Sequence, residues 1–192
     1  GANGISDGER YLYATRGNNT LEFWRYDALE DAWETSTPVP EGDRRKKVKG
    51  GTDLVFREVN DTGWVYLLKG YKTEFYRYNT VVGRWDTLPD APSEFKAKWD
   101  KGSWIVHDGE NTIYAHKAKY QELWRYDVVY DSWHQLTGMP LIGLSGRRKK
   151  SALHESTPPC WEPDASSSAA PARRTSKNIS KSAMVRKRRT IS

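Results

Sequence analysis

Short runs in which large apolar and polar side chains alternate fill the first three quarters of the chain. In Tyr11-Leu12-Tyr13-Ala14-Thr15, aromatic and β-branched residues follow one another without any 3.6-residue apolar spacing, which predicts a strand. Arg16-Gly17-Asn18-Asn19 ends it as a hairpin turn, because Gly and Asn accept positive φ. The antiparallel partner is Glu22-Phe23-Trp24-Arg25-Tyr26-Asp27. A period of two sends Glu22, Trp24 and Tyr26 to one face and Phe23, Arg25 and Asp27 to the other. Both faces carry bulk, which suits a strand held between two sheets better than one lying against water.

That segment recurs as Glu74-Phe75-Tyr76-Arg77-Tyr78-Asn79 and Glu122-Leu123-Trp124-Arg125-Tyr126-Asp127. Trp33, Trp85 and Trp133 follow at a constant distance, about eight residues after Arg25, Arg77 and Arg125. The steps between copies are about 52 and about 48 residues. Around each copy the same elements are expected. In the first unit, residues 1–10 read as turn, so only the last three strands are expected, the last being Trp33-Glu34-Thr35 before Pro38-Val39-Pro40. In the second, a Gly-containing strand from Lys47 to Phe56 precedes the Asn60–Gly63 turn, Trp64–Leu68, Phe75–Asn79 and Trp85–Leu88. In the third, Phe95–Trp99 and Ser103–Val106 precede the His107–Asn111 turn, Thr112–Ala115, the repeated segment and Trp133–Leu136. Ala118 stands where Gly17 and Gly70 stood, so the third hairpin is expected to be looser or of another type.

Four short antiparallel strands per 50 or so residues is the unit of a β-propeller. The chain resembles the kelch-like family in Gly50-Gly51 before the first strand, the Arg/Lys-Gly turn after the second, the Tyr-Asp (Tyr-Asn at Asn79) of the third, and the tryptophan that follows it. The resemblance covers residues 10 to about 150. It implies an all-β, incomplete propeller arc: a partial blade over 1–43, blades over 44–93 and 94–143, and the aborted start of another over 144–150. Propellers close with about four to eight blades, so further blades, from this chain or another, are expected to complete the circle. The first residue is Gly1 and not Met, so the expectation is that either a targeting segment has been removed or the chain is a piece of a longer protein.

Composition changes the picture at one place. All eleven tyrosines and eight of the nine tryptophans precede residue 145. Residues 1–144 hold 19 Lys and Arg against 22 Asp and Glu, whereas residues 145–192 hold 12 against 3. The overall pI of 9.3 therefore belongs to the tail. Residues 151–192, rich in Ser, Ala and Arg, are expected to be a disordered basic extension, too poor in apolar groups to offset chain entropy. They read either as a native tail or as an interrupted blade. Such a segment attracts polyanions without specificity, and no zinc-finger, RNP or helix-turn-helix pattern accompanies it, so no specific nucleic-acid partner is expected. No run of 18 apolar residues is present, so no membrane span is expected.

Catalytic chemistry finds little support. His107, His116, His134 and His154 form no ligand spacing and read as structural or solvated, and the lone Cys160 lies in the tail. No cofactor, metal or catalytic residue is assigned. The resemblance brings in the copper-dependent galactose oxidases, but their cysteine-modified tyrosine has no counterpart in blades that lack cysteine. Glu22, Glu74 and Glu122, three residues before an arginine, are expected to form a structural lattice with Arg25, Arg77, Arg125 and Tyr26, Tyr78, Tyr126 between blades. Cations before the first strands are the candidate binding set: Arg44, Arg45, Lys46 and Lys47 through Lys49, then Lys96, Lys98 and Lys101, then Arg147–Lys150. The resemblance places first strands at a central channel, so these would make one end of it electropositive. Arg16, Lys69 and Lys117 form a second equivalent set on the hairpins. The expected function is a non-catalytic recognition or scaffold module that binds protein or an acidic glycan through propeller loops, in an extracellular or periplasmic setting. The alternative is a piece of a carbohydrate-active or oxidase enzyme whose catalytic residues lie outside this chain.

Overall fold

The computed structural model describes residues 1–140, and these form twelve strands and no helix. The strands make three separate four-stranded antiparallel sheets, each in simple sequential order. The first contains β1 (Asn3–Ser6), β2 (Tyr11–Thr15), β3 (Phe23–Asp27) and β4 (Ala32–Thr35). The second contains β5 (Asp53–Val59), β6 (Thr62–Leu68), β7 (Phe75–Asn79) and β8 (Arg84–Leu88). The third contains β9 (Trp104–His107), β10 (Thr112–His116), β11 (Leu123–Asp127) and β12 (Ser132–Leu136). The sheets stack as an open, unclosed arc of propeller-type blades, with β1 beside β5 and β5 beside β9.

Local chemistry explains the repeated Tyr-Asp. The side-chain oxygen of Asp27 accepts the N–H groups of Leu29 and Glu30, that of Asn79 those of Val81 and Val82, and that of Asp127 those of Val129 and Tyr130. Each therefore closes the turn into its outermost strand. The turns end on a left-handed residue, Asp31 (φ 50°), Gly83 (φ 73°) and Asp131 (φ 47°). Tyr26 and Tyr126 donate their hydroxyls to Asp31 and Asp131 at 2.5 and 2.6 Å, which holds those two backbones in place. Arg10 also grips Asp27 and holds its carboxyl down at about 2.

Packing between blades repeats one pattern. Phe23 meets the rings of Tyr78 and Trp85 in the next sheet at 5.1 and 5.0 Å. Phe75 meets Tyr126 and Trp133 at 4.9 and 5.1 Å. The tryptophans add a hydrogen bond backwards: Trp85 Nε1 donates to the Thr37 carbonyl at 2.9 Å and Trp133 Nε1 to that of Pro89 at 3.0 Å. Val65, Leu67 and Tyr76 are buried on the side facing the first sheet, Tyr66, Leu68 and Phe75 on the side facing the third. The core thus lies between the sheets, which is why both faces of each strand are bulky.

Four sequence expectations are corrected. The first blade is complete, because Asn3–Ser6 pairs with Leu12–Thr15 as a true strand and does not continue the turn. Its ladder is made by backbone pairing in a Gly-containing stretch with little side-chain signal. Residues 47–51 and 95–99 are not strand, since the first strands begin only at Asp53 and Trp104. His107 ends β9 and does not lie in the following turn. The hairpin that departs from the others is the first and not the third. Ala118 donates its N–H to Ser103 Oγ as Gly70 does to Thr52 Oγ1, and Lys119 (φ 71°) matches Tyr71 (φ 66°), whereas Arg16 and Glu22 are separated by one more residue than Lys69 and Glu74. The aborted blade over 144–150 and the tail over 151–192 lie outside the described residues.

Phe75 is fully buried where two blades meet. Phe75→Ala is expected to cost about 3–5 kcal/mol in urea unfolding, whereas Val81→Ala, on an exposed turn, should cost under about 0.5.

Candidate binding face on the inter-blade linkers

Each pair of blades is joined by a linker that crosses from the outermost strand of one to the innermost strand of the next. Both linkers are fixed at two points. Near the start, Val39 N–H donates to the Leu21 carbonyl and Ala91 N–H to that of Thr73, both side chains being buried. Near the end, Val48 exchanges backbone bonds with Asn19 and Thr20, and Trp99 with Tyr71 and Lys72. Val48 and Trp99 are fully buried. Gly51 follows with φ 92°, and a Cβ there would lie 2.5 Å from the Asp100 carbonyl oxygen, so only glycine fits where successive linkers stack.

The hairpin cations are part of this fastening. Lys69 Nζ donates to the carbonyls of Pro40 and Glu41, both at 2.8 Å, and pairs with Glu74 at 3.2 Å. Lys117 Nζ donates to Ser93 Oγ and to the Phe95 carbonyl at 3.1 Å, and pairs with Glu122 at 2.9 Å. Both lysines are fully buried, which corrects their assignment as ligand contacts: the linker covers them. Burial pushes the Lys69 pKa down, against the pull of Glu74. Arg16, the third member, is exposed and grips Glu22 at 2.8 Å.

The same geometry corrects the expected lattice. Glu22, Glu74 and Glu122 pair with the hairpin cation of their own blade and not with the arginine three residues on. Alternation puts that arginine on the opposite face of the strand. Arg25 instead pairs with Glu34 at 2.6 Å, while Arg77 reaches Asp86 at 3.4 Å and, across the blade junction, Asp131 at 3.7 Å. Arg125 is exposed. Trp85 and Trp133 serve as anchors, but Trp33 is 53% exposed.

Between their fixed points the linkers carry the remaining predicted cations. Arg45 (φ 47°) and Lys96 (φ 46°) occupy the same position, three residues before Val48 and Trp99, and both hold left-handed backbone. Such a conformation costs a residue with a Cβ about 1–2 kcal/mol. Arg45, Lys46, Lys47 and Lys96 are exposed and sit in no ion pair among the described residues. Arg44 reaches Asp90 at 3.5 Å. Lys98 lies 4.0 Å from the centre of the Tyr71 ring and 3.8 Å from Asp100. Burial works to raise the Asp100 pKa, but the hydrogen bond from Lys119 at 2.5 Å and the neighbouring Lys98 outweigh it and hold the carboxyl at about 2.

Two features of this face were not read from the sequence. Phe95, 59% exposed, stacks on Tyr120 at 6.0 Å with rings 7° from parallel. Together with Glu94, Glu122 and Gln135 they line a depression of about 400 Å³. Aromatics in turn segments were the available signal. Nearer the axis, Asn3 Nδ2 bonds to Asp53 Oδ1, and Asp53 Oδ2 accepts the Ile105 N–H at 2.8 Å. An amide and a carboxylate thus link the innermost strands of the three sheets, and the predicted cation Lys101 lines the depression around them. His116 is buried against Trp104 with a ring nitrogen 3.1 Å from the Glu122 carbonyl, and burial lowers its pKa.

Compared by sequence, the chain matches no family model and no curated protein. Compared by structure, it is similar to the extracellular domain of a one-component system from B. thetaiotaomicron, with 11% identity and a TM-score of 0.40 over 71% of this chain. The match spans 22% of that chain's length.

The clamp is testable on its own. Lys117→Met leaves Glu122 buried without its cation and is expected to cost about 3–5 kcal/mol in urea unfolding. Lys117→Met/Glu122→Gln should recover at least half of that loss.

Proposed function

We propose that the chain is a non-catalytic, kelch-like recognition module that holds an acidic glycan on its linker face. The observation that carries this reading is the pair Arg45 and Lys96: two exposed cations at equivalent linker positions, each held in left-handed backbone. Segments that keep strained backbone and unneutralised charge at the surface gain nothing in folding from either, which favours a binding role. The Phe95–Tyr120 stack beside Lys96 adds an apolar platform of the kind on which a sugar ring can lie, with the carboxylate or sulfate of an acidic sugar directed to the cations.

The test is retention of the full chain on immobilised heparin at about 0.15 M salt. Lys46→Glu/Lys96→Glu/Lys98→Glu should elute at least about 0.2 M earlier in salt than the parent, with residues 151–192 intact in both. Equal retention of the two, or loss of retention only when residues 151–192 are deleted, would contradict the proposal.

A further inference from the structure

The first sheet has a face built like the two that are buried between blades, and no described residue covers it. Leu12, Ala14, Trp24, Tyr26 and Trp33 occupy the positions of Val65, Leu67, Tyr76, Tyr78 and Trp85 in the second sheet. In the third sheet the same positions are Ile113, Ala115, Trp124, Tyr126 and Trp133. The four β-strand positions preceding the tryptophan are buried in the second and third sheets and only half-buried in the first. Ala14, Thr15, Arg16, Trp24 and Trp33 line a depression there of about 350 Å³.

What fills the equivalent place in the other blades is known. It is the linker of the blade before, whose Thr37 or Pro89 carbonyl accepts from the tryptophan and whose Pro40–Glu41 or Phe95 carbonyls accept from the hairpin lysine. On the first sheet both donors stand ready: Trp33 Nε1 has no hydrogen bond to any described residue, and Arg16 is exposed. The chain itself carries a third linker start of the same design. Thr137-Gly138-Met139-Pro140 follows Trp133 as Thr37-Pro38-Val39-Pro40 follows Trp33. Met139 N–H donates to the Gln121 carbonyl at 2.9 Å, as Val39 does to Leu21 and Ala91 to Thr73. On the face of the third sheet that would turn toward a next blade, Leu123 stands in the place of Phe23 and Phe75, and Tyr114 in that of Tyr13 and Tyr66.

We infer that the uncovered face of the first sheet receives the third sheet of a second copy of this chain. Thr137 supplies the carbonyl for Trp33, Pro140 the carbonyl for Arg16, and Leu123 the side chain that packs on Tyr26 and Trp33. The contact is head-to-tail, and two copies make it twice about a two-fold axis. The three sheets that the described residues of each copy form then give a ring of six, within the range of about four to eight at which propellers close. Both halves of the junction are present on one chain, and each repeats an interface that the chain already makes twice internally.

Sedimentation of the full chain between about 1 and 100 µM tests this. The expected species has twice the 22.1 kDa chain mass. Ala14→Arg, which places a charge on the receiving face, and Leu123→Arg, on the opposite one, should each sediment as single chains and lower the association constant at least about 100-fold. Unchanged far-ultraviolet circular dichroism in both variants separates lost association from lost folding. A parent chain that remains single at about 100 µM would overturn the inference, and so would a dimer of unchanged affinity in both variants.

Discussion

A small sheet with rings on both of its faces cannot bury them by itself; it needs another sheet on each side. Everything in this structure follows from that constraint. Phe23 and Phe75 each enter the gap between a tyrosine and a tryptophan of the next blade, at centroid distances between 4.9 and 5.1 Å. Pairs of this kind contribute about 0.5–1.5 kcal/mol beyond the area they bury. The equivalence of the two junctions makes the arc regular.

Stacking in turn sets the problem of the chain's path. To pass from an outermost strand to the next innermost strand, the backbone must run across the top of the blades, where its carbonyls would be buried without a sheet to receive them. The chain solves this with a buried lysine on each inner hairpin, Lys69 or Lys117, and with the tryptophan Nε1, which together take the linker's carbonyls from below. A carboxylate from the same strand pair, Glu74 or Glu122, balances the buried charge. Glu122 also accepts the backbone N–H groups of Glu94 and Phe95, so one side chain serves both the lysine and the linker. With the linkers fixed at Val39, Val48, Ala91 and Trp99, the stretches between them can carry Arg45 and Lys96 in strained backbone without loosening the fold.

Much of this was legible in the sequence. The three copies of the repeated segment, their alternation and the spacing of the tryptophans give the strands and the sheets, because a period of two is a direct consequence of strand geometry. β1 was not legible: Asn3-Gly4-Ile5-Ser6 holds one large apolar side chain and is a strand only because Leu12–Thr15 pairs with it. The burial of Lys69 and Lys117 was also hidden, since lysine normally marks a surface. The signal for it is the Glu five residues further on, which cannot partner the arginine three residues after it because side chains three apart on a strand point to opposite faces. The left-handed backbone of Arg45 and Lys96 had no signal at all, neither residue being Gly or Asn.

A double-mutant cycle on Phe23 and Trp85, read by urea unfolding, tests the stacking of equivalent blades most directly. If the rings meet at 5.0 Å across the first junction, the two alanine substitutions should be non-additive by at least about 0.5–1 kcal/mol. Additivity within about 0.3 kcal/mol would mean that the two residues do not touch, and that the sheets are not stacked in this way.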